Sequence, residues 1–432
     1  MATPQPDHPP RLLVLMGSGE TAPTMTGHHR TVFELIGGSH VKGDPVPAVM
    51  LDTPFGFQEN APILAERTVE YFKESVFRDV AVAGITRTDT DPVTLESGMN
   101  RIRRAQWVFA GPGSPTFALA QWRDTPIPDL LREKLRSGGA VVFSSAAALT
   151  IGVRTVPVYE IYKVGIDPFW LDGLDLLAET GINAAVIPHY NNNEGGNHDT
   201  RFCYLGERRL TMLEPELPDD AFVLGIDEHT GVIMNLDEDT AEIVGRGVLT
   251  LRRNGSSIEI QNGEKVSLDV IRSGGDRSAG TATAVPIAPP EVEKPVDDLE
   301  PPLAESLEAV LAATEADFDA AMDDGDSDAA VAAILTLDTA IVEWSRDTLQ
   351  SDQVTRARAA LRSMISRLGA AATAGLRDER DVLGPVVEAA LSARRVAREE
   401  KAWAVSDALR DGLDAAGIEV RDTSDGVEWH VR

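Results

Sequence analysis

Between Arg11 and about Ser273 short apolar runs alternate with helix-like stretches, and that rhythm leaves few folds open. The apolar runs are Leu12 to Met16, Ala48 to Leu51, Val80 to Ile85, Trp107 to Ala110, Ala140 to Phe143 and Ala184 to Ile187. Between them, Ala61 to Ser75, Pro92 to Ala105, Pro128 to Arg136 and Arg201 to Leu213 space their apolar residues by three and four, as a helix with one buried face does. A strand that is apolar throughout must be covered on both faces, which a parallel sheet between helices provides. The expected class is therefore α/β. After Asp220 the texture changes to strands separated by turn signals: Phe222 to Ile226, Val232 to Asn235, Ala241 to Val244, Val248 to Leu251 and Ile258 to Ile260. Asn254-Gly255 and Asn262-Gly263 are hairpin-grade turns, so this region is expected to end in an antiparallel edge.

The alternation stops at 274–302, GGDRSAGTATAVPIAPPEVEKPVDDLEPP, where six prolines and several acids replace any apolar period. Such a composition reads as a flexible linker, giving domains at 1–273 and 303–432. The second is Ala-rich, with helical spacing over Leu303 to Met322, Asp328 to Arg346, Gln353 to Leu368 and Asp381 to Ala416. Ile418 to Val420 and Val427 to Val431, around Ser424-Asp425-Gly426, complete a helical bundle with a small β-hairpin. The 432 residues carry 40 Lys+Arg against 69 Asp+Glu, a net charge of −29. A surface so acidic repels phosphate backbones, which disfavours DNA and RNA as default partners. A single cysteine, Cys203, excludes an internal disulfide and a cysteine-based zinc cluster. No apolar run approaches the roughly 18 residues of a membrane span, and Met1 to Pro10 lacks signal-peptide features, so a cytoplasmic protein with no membrane partner is expected.

Four segments of the first domain carry potential chemistry. Gly17-Ser18-Gly19-Glu20 follows the first strand; without a third glycine or a Walker sequence it reads as a plain turn. Ser145 lies where a buried strand runs into Ala146-Ala147-Ala148, a strand-to-helix turn that projects a hydroxyl at the positive end of a helix. His189 ends the strand Val186-Ile187, at the carboxyl edge where ligands bind open α/β sheets. Asp227 and Glu228 sit in a turn between strands, and either acid could orient an imidazole. Nucleophile, base and acid thus fall at three loop positions of one sheet. His189, His198, Asp199 and Cys203 also cluster in sequence, but in a spacing that matches no strong zinc pattern; neither metal nor cofactor is expected.

With those segments in place, residues 11 to about 272 resemble the dipeptidase E and cyanophycinase family of serine peptidases, which share the class I glutamine-amidotransferase-like fold. The resemblance rests on the glycine-rich first turn, Ala110-Gly111-Pro112-Gly113-Ser114-Pro115-Thr116, the Ser145 turn, Pro188-His189-Tyr190 with Asp199-Thr200-Arg201, and Gly225 to Thr230. It implies Ser145 as nucleophile, His189 as general base and Glu228 as the orienting acid, with Asp227 the alternative. It further implies an oxyanion hole from Gly111, Gly113, Ser114 and Ala146, an arginine at Arg201 that grips a substrate carboxylate, and hydrolysis of a small peptide or isopeptide. Phe143 and Ala147 stand where the family has glycines around the serine, and Pro112 brings no amide hydrogen to the oxyanion turn.

Residues 303–432 resemble the C-terminal helical part, including the DALR domain, of cysteinyl-tRNA synthetases. The segments are Phe318 to Asp324, Ala390 to Arg398, Lys401 to Asp411 and Ala416 to Trp429. His-Ile-Gly-His and Lys-Met-Ser-Lys-Ser are absent, so an active synthetase is not expected from this chain. From Leu303 onward 14 Lys+Arg face 26 Asp+Glu, a balance of −12 that disfavours tRNA. Arg394, Arg395, Arg398 and Lys401 offer a locally basic face, read as solvated, and Trp403 and Trp429 are expected to be core anchors. The rival expectation is a non-catalytic binding protein whose second domain recognises tRNA or a protein; self-association is left open.

Overall fold

The computed structural model describes residues 9–37, 46–193, 198–275, 306–344, 353–375, 379–423 and 426–431. Two compact units emerge, Met1–Val310 with Thr339–Arg356, and Leu311–Asp338 with Ala357–Arg432. The expected linker lies outside the described residues from 276 to 302.

In the first unit the strands are β1 (Arg11–Met16), β2 (Ala48–Leu51), β3 (Ala81–Val82), β4 (Trp107–Ala110), β5 (Gly139–Ser144), β6 (Arg154–Thr155), β7 (Leu171–Asp172), β8 (Ala184–Ile187), β9 (Phe222–Ile226), β10 (Thr230–Asn235), β11 (Thr240–Gly245), β12 (Leu249–Arg253), β13 (Ser256–Ile260) and β14 (Lys265–Ser267). The helices are α1 (Pro23–Leu35), α2 (Ala61–Tyr71), α3 (Pro92–Arg104), α4 (Pro115–Trp122), α5 (Ile127–Ser137), α6 (Ser145–Leu149), α7 (Gly206–Leu213) and α8 (Leu268–Arg272). An eight-stranded sheet runs β14-β11-β10-β1-β5-β4-β2-β3. Its β1, β5, β4, β2 and β3 are parallel, while β10, β11 and β14 form the antiparallel edge. This is the expected α/β class. Central strands β1 and β5 bury every residue from Leu12 to Met16 and from Ala140 to Ser144, each large apolar side chain contributing roughly 1.5–3 kcal/mol.

The strands do not all join one sheet. A second sheet, β13-β12-β9-β8, takes β8 as a parallel partner of β9 and so separates His189 from the sheet that carries Ser145. For the same reason Asn254-Gly255 is a hairpin turn between β12 and β13, whereas Asn262-Gly263 crosses from one sheet to the other. The expected strand at Val80 to Ile85 shortens to Ala81–Val82, because Gly84 takes φ +73° and the Gly84 and Ile85 amides turn to donate to Asp52 Oδ1.

The second unit takes in most of α9 (Leu307–Asp324) and α10 (Ser327–Trp344), then α11 (Gln353–Gly375), α12 (Glu379–Glu399), α13 (Trp403–Ala415) and the hairpin β15 (Ile418–Thr423) and β16 (Gly426–Val431). The single helix expected over Asp381 to Ala416 is broken, with Lys401 at φ +61° between α12 and α13. Val387, Leu391, Ile418, Val420 and Trp429 form the core joining α12 to the hairpin. Trp429 is thus an anchor, its Nε1 donating to Glu388 Oε1 at 3.1 Å, but Trp403 is 57% exposed at the start of α13. The basic face is also smaller than expected: Arg394 is buried, leaving Arg395, Arg398 and Lys401 outward.

Candidate active site

Strand β5 ends at Ser144 and α6 starts at Ser145, so the chain must turn within one peptide unit. It does so by placing Ser145 at φ +49°, a left-handed conformation costly for a residue with a Cβ and found where surrounding structure enforces it. The glycine-free surroundings do not prevent the turn. Phe143 points away into the core beside Trp122, ring centroids 5.8 Å apart, and Ala147 anchors the helix start by donating its amide to the Gly111 carbonyl at 3.2 Å.

His189 follows β8 and is also left-handed, at φ +49°. Its backbone is clamped from three sides: its amide donates to the Gly17 carbonyl, and its carbonyl accepts from Asn192 and Cys203. Ring nitrogen Nε2 lies 2.9 Å from Ser145 Oγ, and Nδ1 lies 2.9 Å from Glu228 Oε1. A carboxylate can only accept, so Nδ1 carries the proton and Nε2 presents its lone pair to the Ser145 hydroxyl. Glu228 sits in the turn from β9 to β10, where its amide donates to Asn191 Oδ1 at 2.8 Å and its Oε1 also accepts from Asn192 Nδ2 at 3.1 Å. Burial raises its carboxyl, but the hydrogen bonds from His189 and Asn192 outweigh it and hold Glu228 below the ordinary glutamate range.

Asp227 turns elsewhere. Its Oδ2 accepts from the Val248 amide at 3.0 Å, and burial raises its carboxyl. Of the two acids, only Glu228 meets the imidazole.

The four residues named for the oxyanion hole separate likewise. Gly113 and Ala146 line a cavity of about 370 Å³ with Ser145 and His189. The Ser114 amide is committed to the Pro54 carbonyl at 2.8 Å and its hydroxyl caps α4 by accepting from Phe117, while Gly111 uses its carbonyl to hold Ala147. Gly113 is at φ +144°, and a Cβ there would stand 2.0 Å from the Pro54 oxygen, so only glycine fits. Arg201 is not among the cavity's lining: its fork is closed on Asp199, with bonds of 2.9 and 2.8 Å, and its guanidinium lies over the Phe202 ring.

Glu20 belongs to the cavity although the turn before it reads as a plain one. It is 2% exposed, its Oε2 accepts from Ser144 Oγ at 2.9 Å and its carbonyl is bonded to His29 Nε2 at 2.8 Å. Gly17 makes this possible, since a Cβ there would be 2.0 Å from the Asp227 carbonyl oxygen. Neither Glu20 nor Asn192 bears a local motif; a buried-strand end followed by Gly-x-Gly-Glu is the only hint the sequence offers. Among the described residues no group of three His, Cys, Asp or Glu could hold a metal; His198 reaches Tyr162, Asp199 holds Arg201, and Cys203 is buried.

The first unit is therefore an α/β domain in which a serine, a histidine and a glutamate meet at the seam of two sheets. Residues 380–429 match the family model described as the cysteinyl-tRNA ligase anticodon binding domain. The cysteine–tRNA ligase of Arthrobacter sp. strain FB24 is 40% identical over 121 residues, 27% of this chain and 24% of that protein. That of Deinococcus radiodurans is 33% identical over 153 residues, 32% of this chain and 30% of that protein. The chain thus spans about a quarter to a third of the length of these curated relatives. A peptidase from an acI-B1 actinobacterium is similar in structure, with a TM-score of 0.48 and 19% identity over 60% of this chain and 98% of that one.

Proposed function

We propose that the first unit is a serine-type hydrolase that cleaves an amide bond in a small peptide or isopeptide. The observation that carries this reading is the continuous relay from Ser145 Oγ through both nitrogens of His189 to Glu228, each step 2.9 Å, opening onto a cavity. In the proposed cycle Ser145 Oγ attacks the substrate carbonyl carbon while its proton passes to His189 Nε2, and Glu228 stabilises the imidazolium. The oxyanion points towards the backbone of Gly113 and Ala146. His189 returns the proton to the leaving amine, and water, activated by the same nitrogen, hydrolyses the acyl-enzyme.

Ser145→Ala and His189→Ala are each expected to lower turnover on a peptide library by about three decades or more with little change in Tm, since triad members act as a unit. Peptide cleavage that survives Ser145→Ala would remove the assignment. The match over 380–429 supports a second reading for the C-terminal segment, a module that recognises tRNA or a protein partner; the rival to the hydrolase reading joins such a module to a non-catalytic first unit.

A further inference from the structure

An imidazole is only as well aimed as the backbone that carries it, and the backbone of His189 is held by a neighbouring turn. The His189 carbonyl accepts from the Cys203 amide at 3.2 Å, and the carbonyl of Tyr190, the next residue, accepts from the Phe202 amide at 2.9 Å. Both donors belong to three consecutive left-handed residues, Phe202, Cys203 and Tyr204, a conformation that persists only where the surroundings impose it. On the solvent side Asp199 and the half-exposed Arg201 hold this turn. On the other side stands Arg252 of β12, opposite Val223 of β9 and 3% exposed. Its fork spans two acids: it donates to Glu207 Oε1 and Oε2 on α7 at 2.6 and 3.1 Å, and to Oε2 of buried Glu214 at 2.9 Å. Its guanidinium lies over the Phe202 ring at 5.3 Å, and that ring is 4.5 Å from the ring of Tyr190. Tyr190 in turn lies so close on Gly225 of β9 that a Cβ there would stand 2.4 Å from its Cδ2. Arg252, Phe202 and Tyr190 thus form one packed series that ends at the residue following the base.

We propose that Arg252 is a positioning residue for His189: its fork ties α7 to β12 and its face holds Phe202 on Tyr190, imposing the turn whose Cys203 amide fixes the base between Ser145 and Glu228. The inference rests on the hydrolase reading above. Arg252 is not among the cavity's lining, so its influence on Ser145 runs through the turn alone. Lysine cannot take its place, because an ammonium has neither the planar fork that bridges two carboxylates nor the flat face that stacks on a ring.

The test labels Ser145 of the full chain with an alkyl fluorophosphonate, well below every variant's Tm, so that the folded fraction does not limit the rate. Arg252→Lys leaves a cation beside Glu214, and Phe202→Leu keeps the ion pairs of Arg252 while removing the ring between it and Tyr190. Ile260→Ala, buried on β13 opposite Leu249, is the control for lost stability alone. A second readout is the far-downfield proton resonance of His189 Nδ1–H bonded to Glu228, assigned by its loss in His189→Ala. Arg252→Lys and Phe202→Leu are each expected to label about ten- to a hundredfold more slowly than wild type, the scale on which a misplaced catalytic group acts, and to broaden or lose that resonance. Ile260→Ala should show a lowered Tm, keep the resonance and label within about twofold of wild type, its folded fraction being near one. Labelling at the wild-type rate by either variant would overturn the proposal, whether or not the other folds. So would slowing that leaves the resonance intact, or equal slowing in Ile260→Ala, because Arg252 would then only stabilise the fold. Failure of the probe to label wild-type Ser145 would overturn the hydrolase reading itself, and this inference with it.

Discussion

His29 shows how far from the cavity the site's supports reach. It is fully buried among Tyr71, Phe72, Trp107 and Phe109, with ring centroids 5.0 to 6.2 Å away, and its Nε2 bonds the Glu20 carbonyl. Burial lowers its pKa to about 4. A base whose folded pKa is depressed gives stability that is full above its unfolded value near 6.5 and is lost as pH falls towards 4. The loss across that window is on the order of 3 kcal/mol. His29→Phe should therefore be less stable at neutral pH but should lack this acid slope; equal slopes in denaturant titrations at pH 7, 5.5 and 4.5 would refute it. Gly113→Ala is a second residue-scale expectation, because the added Cβ meets the Pro54 carbonyl. Both Tm and fluorophosphonate reactivity should fall, and a variant normal in both would show that the turn can shift. Ser145, His189 and Glu228 were legible because each follows or joins a strand within a short polar motif. Glu20 and Asn192 were not, since neither lies in a motif and only the fold brings each to its partner, Ser144 and Glu228.

The segment after His189 departs most from its expected form. Apolar spacing over Arg201 to Leu213 predicts one helix, yet α7 begins only at Gly206. Phe202, Cys203 and Tyr204 are consecutively left-handed, at φ +61°, +53° and +65°. Side-chain spacing cannot report handedness, so this turn is invisible to a periodicity reading. What pins it is Asp199, which accepts from the Arg201 fork and from the Glu207 amide, while the Cys203 amide in turn holds the His189 carbonyl. The Arg201 hydrogen bonds hold the Asp199 carboxyl well below the usual carboxylate range. A depressed acid stabilises above its unfolded pKa, about 3.9, and loses that contribution as pH falls through the folded value. Asp199→Asn should thus lower Tm by a constant amount from pH 8 to 5, and the gap to wild type should narrow below about pH 4. A gap that persists unchanged to pH 3 would assign the turn's stability elsewhere. The break between α12 and α13 has the same origin: Lys401 at positive φ interrupts a pattern whose apolar spacing runs on.

Over the whole chain, composition proved a coarse guide and topology a finer one. The α/β class followed from the apolar runs, but the allocation of strands to two sheets depends on long-range pairing of β8 with β9 and of β14 with β11, which no local pattern encodes. No helix among the described residues is long and apolar enough to cross a membrane. The match of 380–429 to an anticodon binding domain makes tRNA the natural ligand to try, and the charge argues against it: the chain carries −29, and the basic face has lost Arg394 to burial. Full-length protein is expected to bind bulk tRNA no tighter than about 10 μM at physiological salt, the regime without phosphate neutralisation. A sub-micromolar complex there would make the second unit an RNA-targeting arm. The central claim, that Ser145 is an activated nucleophile, is met most directly by treating wild type, Ser145→Ala and His189→Ala with an alkyl fluorophosphonate and mapping the adduct by mass spectrometry. The relay predicts one adduct, on Ser145, in wild type, none in Ser145→Ala, and labelling slowed by about a hundredfold or more in His189→Ala. Absence of a Ser145 adduct in wild type, or equal labelling of wild type and His189→Ala, would contradict it.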